Sequence, residues 1–192
     1  MEHKTVGFAV CGSFCTHAKA METLEQVKRT FQNVVPIVSQ ATAETDTRFG
    51  AAHDLMREME RICGHRVIST IKEAEPIGPK QWLDLLILCP CTGNTLGKLA
   101  SGITDGPVTM AAKAHLRNER PVLIAPATND GLSASAHSIG LLLPRKHIYF
   151  VPFGQDDPER KPCSLIADFS QTVAAAVAAL AGRQLQPLLL RG

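Results

Sequence analysis

The chain has 192 residues, with 20 basic against 18 acidic side chains and a formal charge of +2, which fits one domain close to electrical neutrality. With the charges interspersed rather than blocked, that balance excludes a polyelectrolyte surface for nucleic acid or an anionic membrane. No apolar run approaches the roughly 18 residues of a membrane span. The opening Met1-Glu2-His3-Lys4 leads straight into an apolar segment without a signal-peptide layout, so a cytoplasmic protein is expected.

Residues 5–11 (TVGFAVC) form an apolar run of β-formers ending at Gly12-Ser13, which predicts a buried strand. Met21, Leu24, Val27 and Phe31 recur at helical spacing over residues 16–32. A second strand is expected over 34–39 (VVPIVS), where Pro36 marks an edge or a start. Asp46 or Thr47 can cap a helix with Ala52, Leu55, Met59 and Ile62 inward, stopped by Gly64. A brief third strand is expected at 67–70, before a proline-bearing connection at 76–79.

Residues 84–89 (DLLILC) are continuously apolar after the aspartate, as a central parallel strand should be. A short helix follows at 93–101, and Pro107 suits the first turn of another that runs to about Asn118. Strands at 122–125 and 148–151 flank a helical stretch at 132–143. The last helix is placed at 164–181, with Ile166, Phe169, Val173, Val177 and Leu180 inward and Gly182 ending it. Its alanine-rich second half suits either a contact between copies or a close approach of helix to sheet.

About six strands alternating with helices specify an α/β fold: a single doubly wound parallel sheet in a three-layer, flavodoxin-like (Rossmann-like) arrangement. It is expected to span residues 1–192, with 191–192 a frayed tail. Six cysteines without a secretory context do not suggest disulfides. Cys11, Cys15, Cys89 and Cys91 can converge at one sheet edge, but their CxxxC and CxC spacings suit core packing better than a metal, so no metal site is expected.

In such sheets ligands bind beyond the carboxyl ends of the strands. The first turn there, Gly12-Ser13-Phe14, joins strand to helix and offers free N–H groups to an anion. With one glycine and no Walker lysine it suits a monophosphate and not a dinucleotide. Ser39, Gln40 and Thr42 make the second turn polar, as ligand groups or as a helix cap. After the 84–89 strand, Thr92, Asn94 and Thr95 cluster around Gly93, more polar groups than a cap needs. Asn94, both donor and acceptor, is the candidate catalytic residue. The turn after the 122–125 strand, Pro126-Ala127-Thr128-Asn129-Asp130, is polar again.

These loops carry a resemblance. Residues 90–105 (PCTGNTLGKLASGITD) are similar to the PASANT-type segment of the flavin-containing cysteine-decarboxylase superfamily and its K-x-A-x-G-I-x-D continuation. Residues 125–129 (APATN) resemble its APAMN segment, and Gly12-Ser13 its flavin-phosphate loop. Flavin prenyltransferases share that superfamily and carry a basic residue near the position of Leu116-Arg117. A resemblance over nearly the whole chain is to the family of dipicolinate synthase B subunits. It rests on Thr92-Gly93-Asn94-Thr95, residues 110–114 (MAAKA), Thr128-Asn129-Asp130 and residues 153–158 (FGQDDP).

That resemblance implies one half of a pair, acting with a separate dipicolinate synthase A subunit during sporulation and oxidising dihydrodipicolinate to dipicolinate. It implies FMN held by Gly12, Ser13, Phe14, Ser39, Thr92, Thr95, Pro126, Ala127 and Thr128, with Asn129 on a small dicarboxylate. Lys113 and Arg117 are assigned to its carboxylates on charge, with Arg160 and Lys161 as further candidates. Because no dinucleotide fingerprint is present, a nicotinamide dinucleotide is assigned to the partner. A homo-oligomer is expected. Two alternatives stay open: a stand-alone flavin-dependent decarboxylase or prenyltransferase, and a non-catalytic scaffold for the A subunit. Decarboxylases carry a histidine several residues before Asp84, where this chain has Pro76-Ile77-Gly78-Pro79, and proline cannot transfer a proton. Thr128 also replaces the methionine of APAMN. Among the histidines, His17 and His137 lie nearest the expected ligand loops. Trp82 is expected to pack and not to stack on a cofactor.

Overall fold

The computed structural model describes residues 3–190, so the expected frayed tail at 191–192 lies outside the described residues. β1 (Thr5–Val10) passes through a 3-10 turn at Phe14–Thr16 into α1 (His17–Phe31), then β2 (Asn33–Val38) and the short α2 (Gln40–Glu44). α3 (Ala52–Cys63), the single-turn α4 (Ile71–Ala74), β3 (Leu85–Cys91), α5 (Gly93–Ser101) and α6 (Pro107–Leu116) follow. β4 (Val122–Thr128), α7 (Ala136–Leu142), β5 (Ile148–Phe150), β6 (Phe153–Gly154), β7 (Leu165–Ala167) and α8 (Thr172–Leu180) complete the chain.

Five strands are parallel in the order β2-β1-β3-β4-β5, the flavodoxin-like order. All seven residues of β3 are buried, because helices cover both faces of the sheet and leave no side to water. α1 turns Ala20, Leu24, Val27 and Phe31 inward at the helical repeat that the sequence shows. Asp46 Oδ1 accepts from the Ala52 N–H at 2.8 Å and so caps α3, which Gly64 ends in the left-handed conformation at φ 72°. No helix among the described residues is long and apolar enough to cross a membrane.

Among the described residues the sheet has seven strands and not six, and it is not wholly parallel. β7 runs antiparallel to the end of β4 (Ala127 opposite Ile166, Thr128 opposite Leu165), and β6 pairs antiparallel with β7. Residues 67–70 give only an isolated bridge, Ile68 to Ile37, because Thr70 is already committed to a capping box with Glu73 at the start of α4. The single helix expected over 164–181 is divided. Leu165 and Ala167 are buried in alternation as β7, Asp168 then accepts from Ser170 N–H at 3.1 Å, and α8 begins at Thr172. The inward face of α8 is alanine: Ala175, Ala176 and Ala179 are buried, whereas Val177 is 36% exposed. Small side chains there allow the helix to lie close on the sheet, so the alanine run serves close packing of helix on sheet.

α7 starts at Ala136 and not at 132. The residues before it wind around Asp130, whose carbonyl accepts from the N–H groups of Ser133 and Ser135. Beyond α8 the chain returns to the sheet. Gln184 exchanges two hydrogen bonds with the backbone of Phe150, and the N–H of Leu190 and carbonyl of Leu188 pair with Phe153.

Candidate functional site

From β1 the order departs to β2 on one side and β3 on the other, which places the crevice of the switch point beyond Val10 and Cys91. Gly12, after β1, and Thr92, after β3, are shared walls of two adjoining cavities at that edge. The first cavity, about 550 Å³, is lined by Ser39, Asn94 and Thr95, and by Gly106 to Thr109 at the start of α6. The second, about 380 Å³, is lined by Ser13, Phe14, Ala127, Thr128 and Asn129. A smaller pocket of about 250 Å³ adjoins it, with Phe14 and His17 in its wall.

Most of the candidate residues are therefore brought together. Pro126 lines neither cavity and instead pairs in register with Cys91 inside the sheet. Lys113 and Arg117 are also elsewhere. α6 starts at the first cavity and leads away, and His115 near its end bonds to the carbonyl of Pro121, ahead of β4. Both cationic residues are exposed and line neither cavity. His137 is exposed on α7, and Trp82 is 46% exposed with the Lys80 ammonium 5.7 Å from its ring centre. Pro76 lines a separate cleft with Thr5 and Asn33, at the opposite end of the strands.

Ser39 and Thr92 are helix caps as well as cavity walls. Ser39 Oγ accepts from the Thr42 N–H and Thr92 Oγ1 from the Thr95 N–H, each at 3.3 Å. Capping Thr95 leaves the N–H groups of Gly93 and Asn94, the first two of α5, without an intrahelical acceptor, at the positive end of the helix dipole. The first turn is less generous: the Ser13 N–H is spent on the Cys11 carbonyl at 2.8 Å. Asn94 is exposed, with its amide at the wall of the first cavity.

Behind the loops lies a buried thiol cluster. A hydrogen bond from Cys91, then the Thr95 hydroxyl at 3.4 Å and the Thr92 backbone, lower the Cys11 pKa against the opposing effect of burial. Burial pushes Cys91 and Cys89 up, so both keep their protons and pack as small apolar groups. His17 Nε2 lies 2.9 Å from the Cys11 carbonyl, and a nitrogen facing a carbonyl must carry its proton. Burial lowers the pKa of this ring, which favours the neutral form.

Asp130 orders the turn after β4. Its Oδ1 accepts from Thr128 Oγ1, and from Ser135 Oγ at 2.7 Å, and these bonds hold its carboxyl below the ordinary range. Gly93 packs against this group so closely that a Cβ there would lie 2.3 Å from Ser135 Oγ and 2.7 Å from Asp130 Oδ1. The two polar turns are thus locked to one another, which explains the glycine within the Thr-Gly-Asn-Thr run.

Sequence reasoning missed Arg48 and Phe49 in the wall of the second cavity, which Asp156 and the candidate cation Lys161 also line. Lys98 in the first pairs with Asp105 at 2.9 Å, and Lys161 with Asp156 at 2.9 Å, so these cations are answered. Leu165 and Ile166 of β7 close the same wall, which makes the carboxyl-terminal stretch part of the site. Among the described residues no group of three or more His, Cys, Asp or Glu is placed to hold a metal ion.

Residues 1–139 match the model of the Flavoprotein family. The dipicolinate synthase B subunit of Bacillus subtilis is 40% identical over 190 residues, covering 99% of this chain and 95% of the relative. The crystal structure of the dipicolinate synthase B subunit from Bacillus halodurans superposes with a TM-score of 0.90 at 39% identity, covering 100% of this chain and 99% of that one. The FMN-dependent cysteine decarboxylase SpaF shares the fold, with a TM-score of 0.66 at 22% identity over 94% of this chain and 98% of its own. With two converging loops at a flavodoxin-like switch point and this extent of identity, the chain belongs to the Flavoprotein family and, within it, to the family of dipicolinate synthase B subunits.

Proposed function

We propose that this chain is one half of a two-component oxidoreductase that converts dihydrodipicolinate to dipicolinate during sporulation, in the cytoplasm, together with a separate A subunit. The observation that carries this reading is the pair of cavities sharing Gly12 and Thr92, which gives two ligands adjoining places at one sheet edge. The subunit designation and synthase name of the relatives support a catalytic, partnered role.

The first cavity suits the phosphate of FMN. The free N–H groups at the start of α5, beside the walls formed by Ser39 and Thr92, are the donors an anion requires. The Flavoprotein family assignment and the FMN dependence named for SpaF support the same cofactor. When bound, FMN supplies a hydride acceptor. Gly12, Ser13, Phe14, Thr95, Ala127 and Thr128 complete its surroundings, and Asn94 and Asn129 orient polar atoms of the ring substrate. A lone Gly12 after β1 is no dinucleotide loop, so the nicotinamide site belongs to the partner. That partner docks on the loops after β4 and β6, including Asn129, Asp130 and residues 154–161, and closes the site against water. Exposed Ile103, Leu132 and Leu141 suit contacts between copies of this chain.

Pro76, distant from both cavities, gives no support to proton transfer of the decarboxylase kind. Reconstitution tests the reading: purified chain, its partner, dihydrodipicolinate and nicotinamide cofactor are mixed, and ring aromatisation is followed by ultraviolet absorbance. Turnover is expected only with both chains present. Full turnover by this chain alone refutes the two-component reading, and equal turnover by the partner alone reduces this chain to a scaffold.

A further inference from the structure

Arg48 is a cationic residue in the wall of the second cavity that has no carboxylate partner among the described residues. It sits at the tip of a tight turn whose backbone is satisfied internally. Thr47 and Gly50 exchange N–H to carbonyl bonds at 3.0 and 3.1 Å, and the Phe49 N–H donates to Thr47 Oγ1 at 3.1 Å. Asp46, at the base, is tied to the start of α3. The guanidinium lies 4.9 Å from the centre of the Phe49 ring, an arrangement that holds the planar cation in place while leaving its N–H edges free. Phe49 itself is 53% exposed, a large aromatic surface held in water at the mouth of a cavity. The other cation of that wall, Lys161, is spent on Asp156. Arg48 is therefore the one unanswered cationic fork among the described residues lining this cavity, which it shares with the amide of Asn129 and the hydroxyl of Ser13.

We infer that Arg48 determines substrate specificity by taking a ring-borne carboxylate in the second cavity, with Phe49 holding its guanidinium. This rests on the proposed function and deepens it: of the two carboxylates of a pyridine dicarboxylate, one is read by Arg48, bidentately. Arg48 acts in binding and moves no proton.

The test is calorimetric titration of the purified chain with pyridine-2,6-dicarboxylate and with pyridine-2-carboxylate, for the parent, Arg48→Lys and Arg48→Gln. Arg48 is exposed on a turn, so melting temperatures should match and report intact folding. The parent should prefer the dicarboxylate, and Arg48→Gln should lose roughly ten- to a hundredfold in its affinity while binding the monocarboxylate unchanged. Arg48→Lys, with charge but no fork, should fall between. In the reconstituted enzyme Arg48→Gln should raise KM and leave kcat within about twofold. Equal dicarboxylate affinity in parent and Arg48→Gln overturns the assignment to Arg48 while leaving the proposed function standing. No binding of the dicarboxylate by the parent, with or without its partner, overturns both.

Discussion

At the residue scale, Thr92 shows why a polar cluster has to be read twice. It caps α5, and it stands in the wall of both cavities, so a structural role and a place at the candidate site fall to the same side chain. Replacing Thr92 by Asp separates them, because aspartate is an equally good cap but sets a negative charge where the phosphate is proposed to bind. Melting temperature should stay within a few degrees, while FMN affinity, read from quenching of flavin fluorescence, should fall at least about tenfold. Undiminished affinity would place the phosphate elsewhere. Ser39, Asn94, Thr95 and Asn129 were legible because each follows the end of a strand. Arg48 and Phe49 were not, since their turn lies between two helices, and only an aromatic–basic pair amid polar turn residues hinted at it. Gly93 was read as part of a polar cluster, but the reason for its missing side chain is Ser135, 42 positions away in the chain.

At the scale of elements, direction matters as much as existence. Pro107 correctly marked the start of α6, and a helix that starts at the site and rises about 1.5 Å per residue carries Lys113 and Arg117 away from it. Charge alone had suggested them. The last helix misled for a different reason. Ile166 and Phe169 fit a helical repeat with Val173 and Val177, yet Leu165 and Ala167 fit the two-residue repeat of a strand equally well. Short apolar runs carry both periods, and pairing with β4 and β6 decided the matter. The alanine face makes a further expectation concrete. Ala176→Leu should overpack the interface of α8 with β3 and β4 and cost about 1–3 kcal/mol, whereas Ala174→Leu, on the exposed side, should cost under about 0.5 kcal/mol. Urea unfolding of the two variants checks the contrast, and equal losses would mean that Ala174 is covered in the assembled protein.

For the whole molecule, alternating strands and helices sufficed to predict the parallel sheet and the edge that bears the two adjoining cavities, because crossovers are right-handed and ligands gather at the switch point. The antiparallel β6–β7 addition was hidden, since two- and three-residue strands leave almost no periodic trace. Folding stability carries a pH signature from His115. Buried on α6, it is held near a pKa of about 4 rather than 6.5, because burial disfavours the charged ring. The unfolded chain takes up this proton first, so stability is lost as pH falls from 6.5 towards 4, by about 3 kcal/mol when the loss is complete. Urea unfolding of the parent and of His115→Gln should show a difference that shrinks over that window, and a constant difference would disprove the assignment.

Among the described residues, the open sides of β2, β5 and β6 are each partly occupied by residues outside the strands. On β2, Pro36 has no N–H to give, and Ile68 takes the Pro36 carbonyl and the Val38 N–H. On β5, the Gln184 amide plays the part of a missing strand at Phe150. On β6, the carboxyl-terminal residues 188–190 run alongside Phe153. A ribbon covered along its borders is a poor template for another chain's backbone. Such borders favour association with further chains, whether copies or a different protein, through side-chain surfaces on helices and loops. Its specificity must then be written in residue identity and not in generic main-chain pairing.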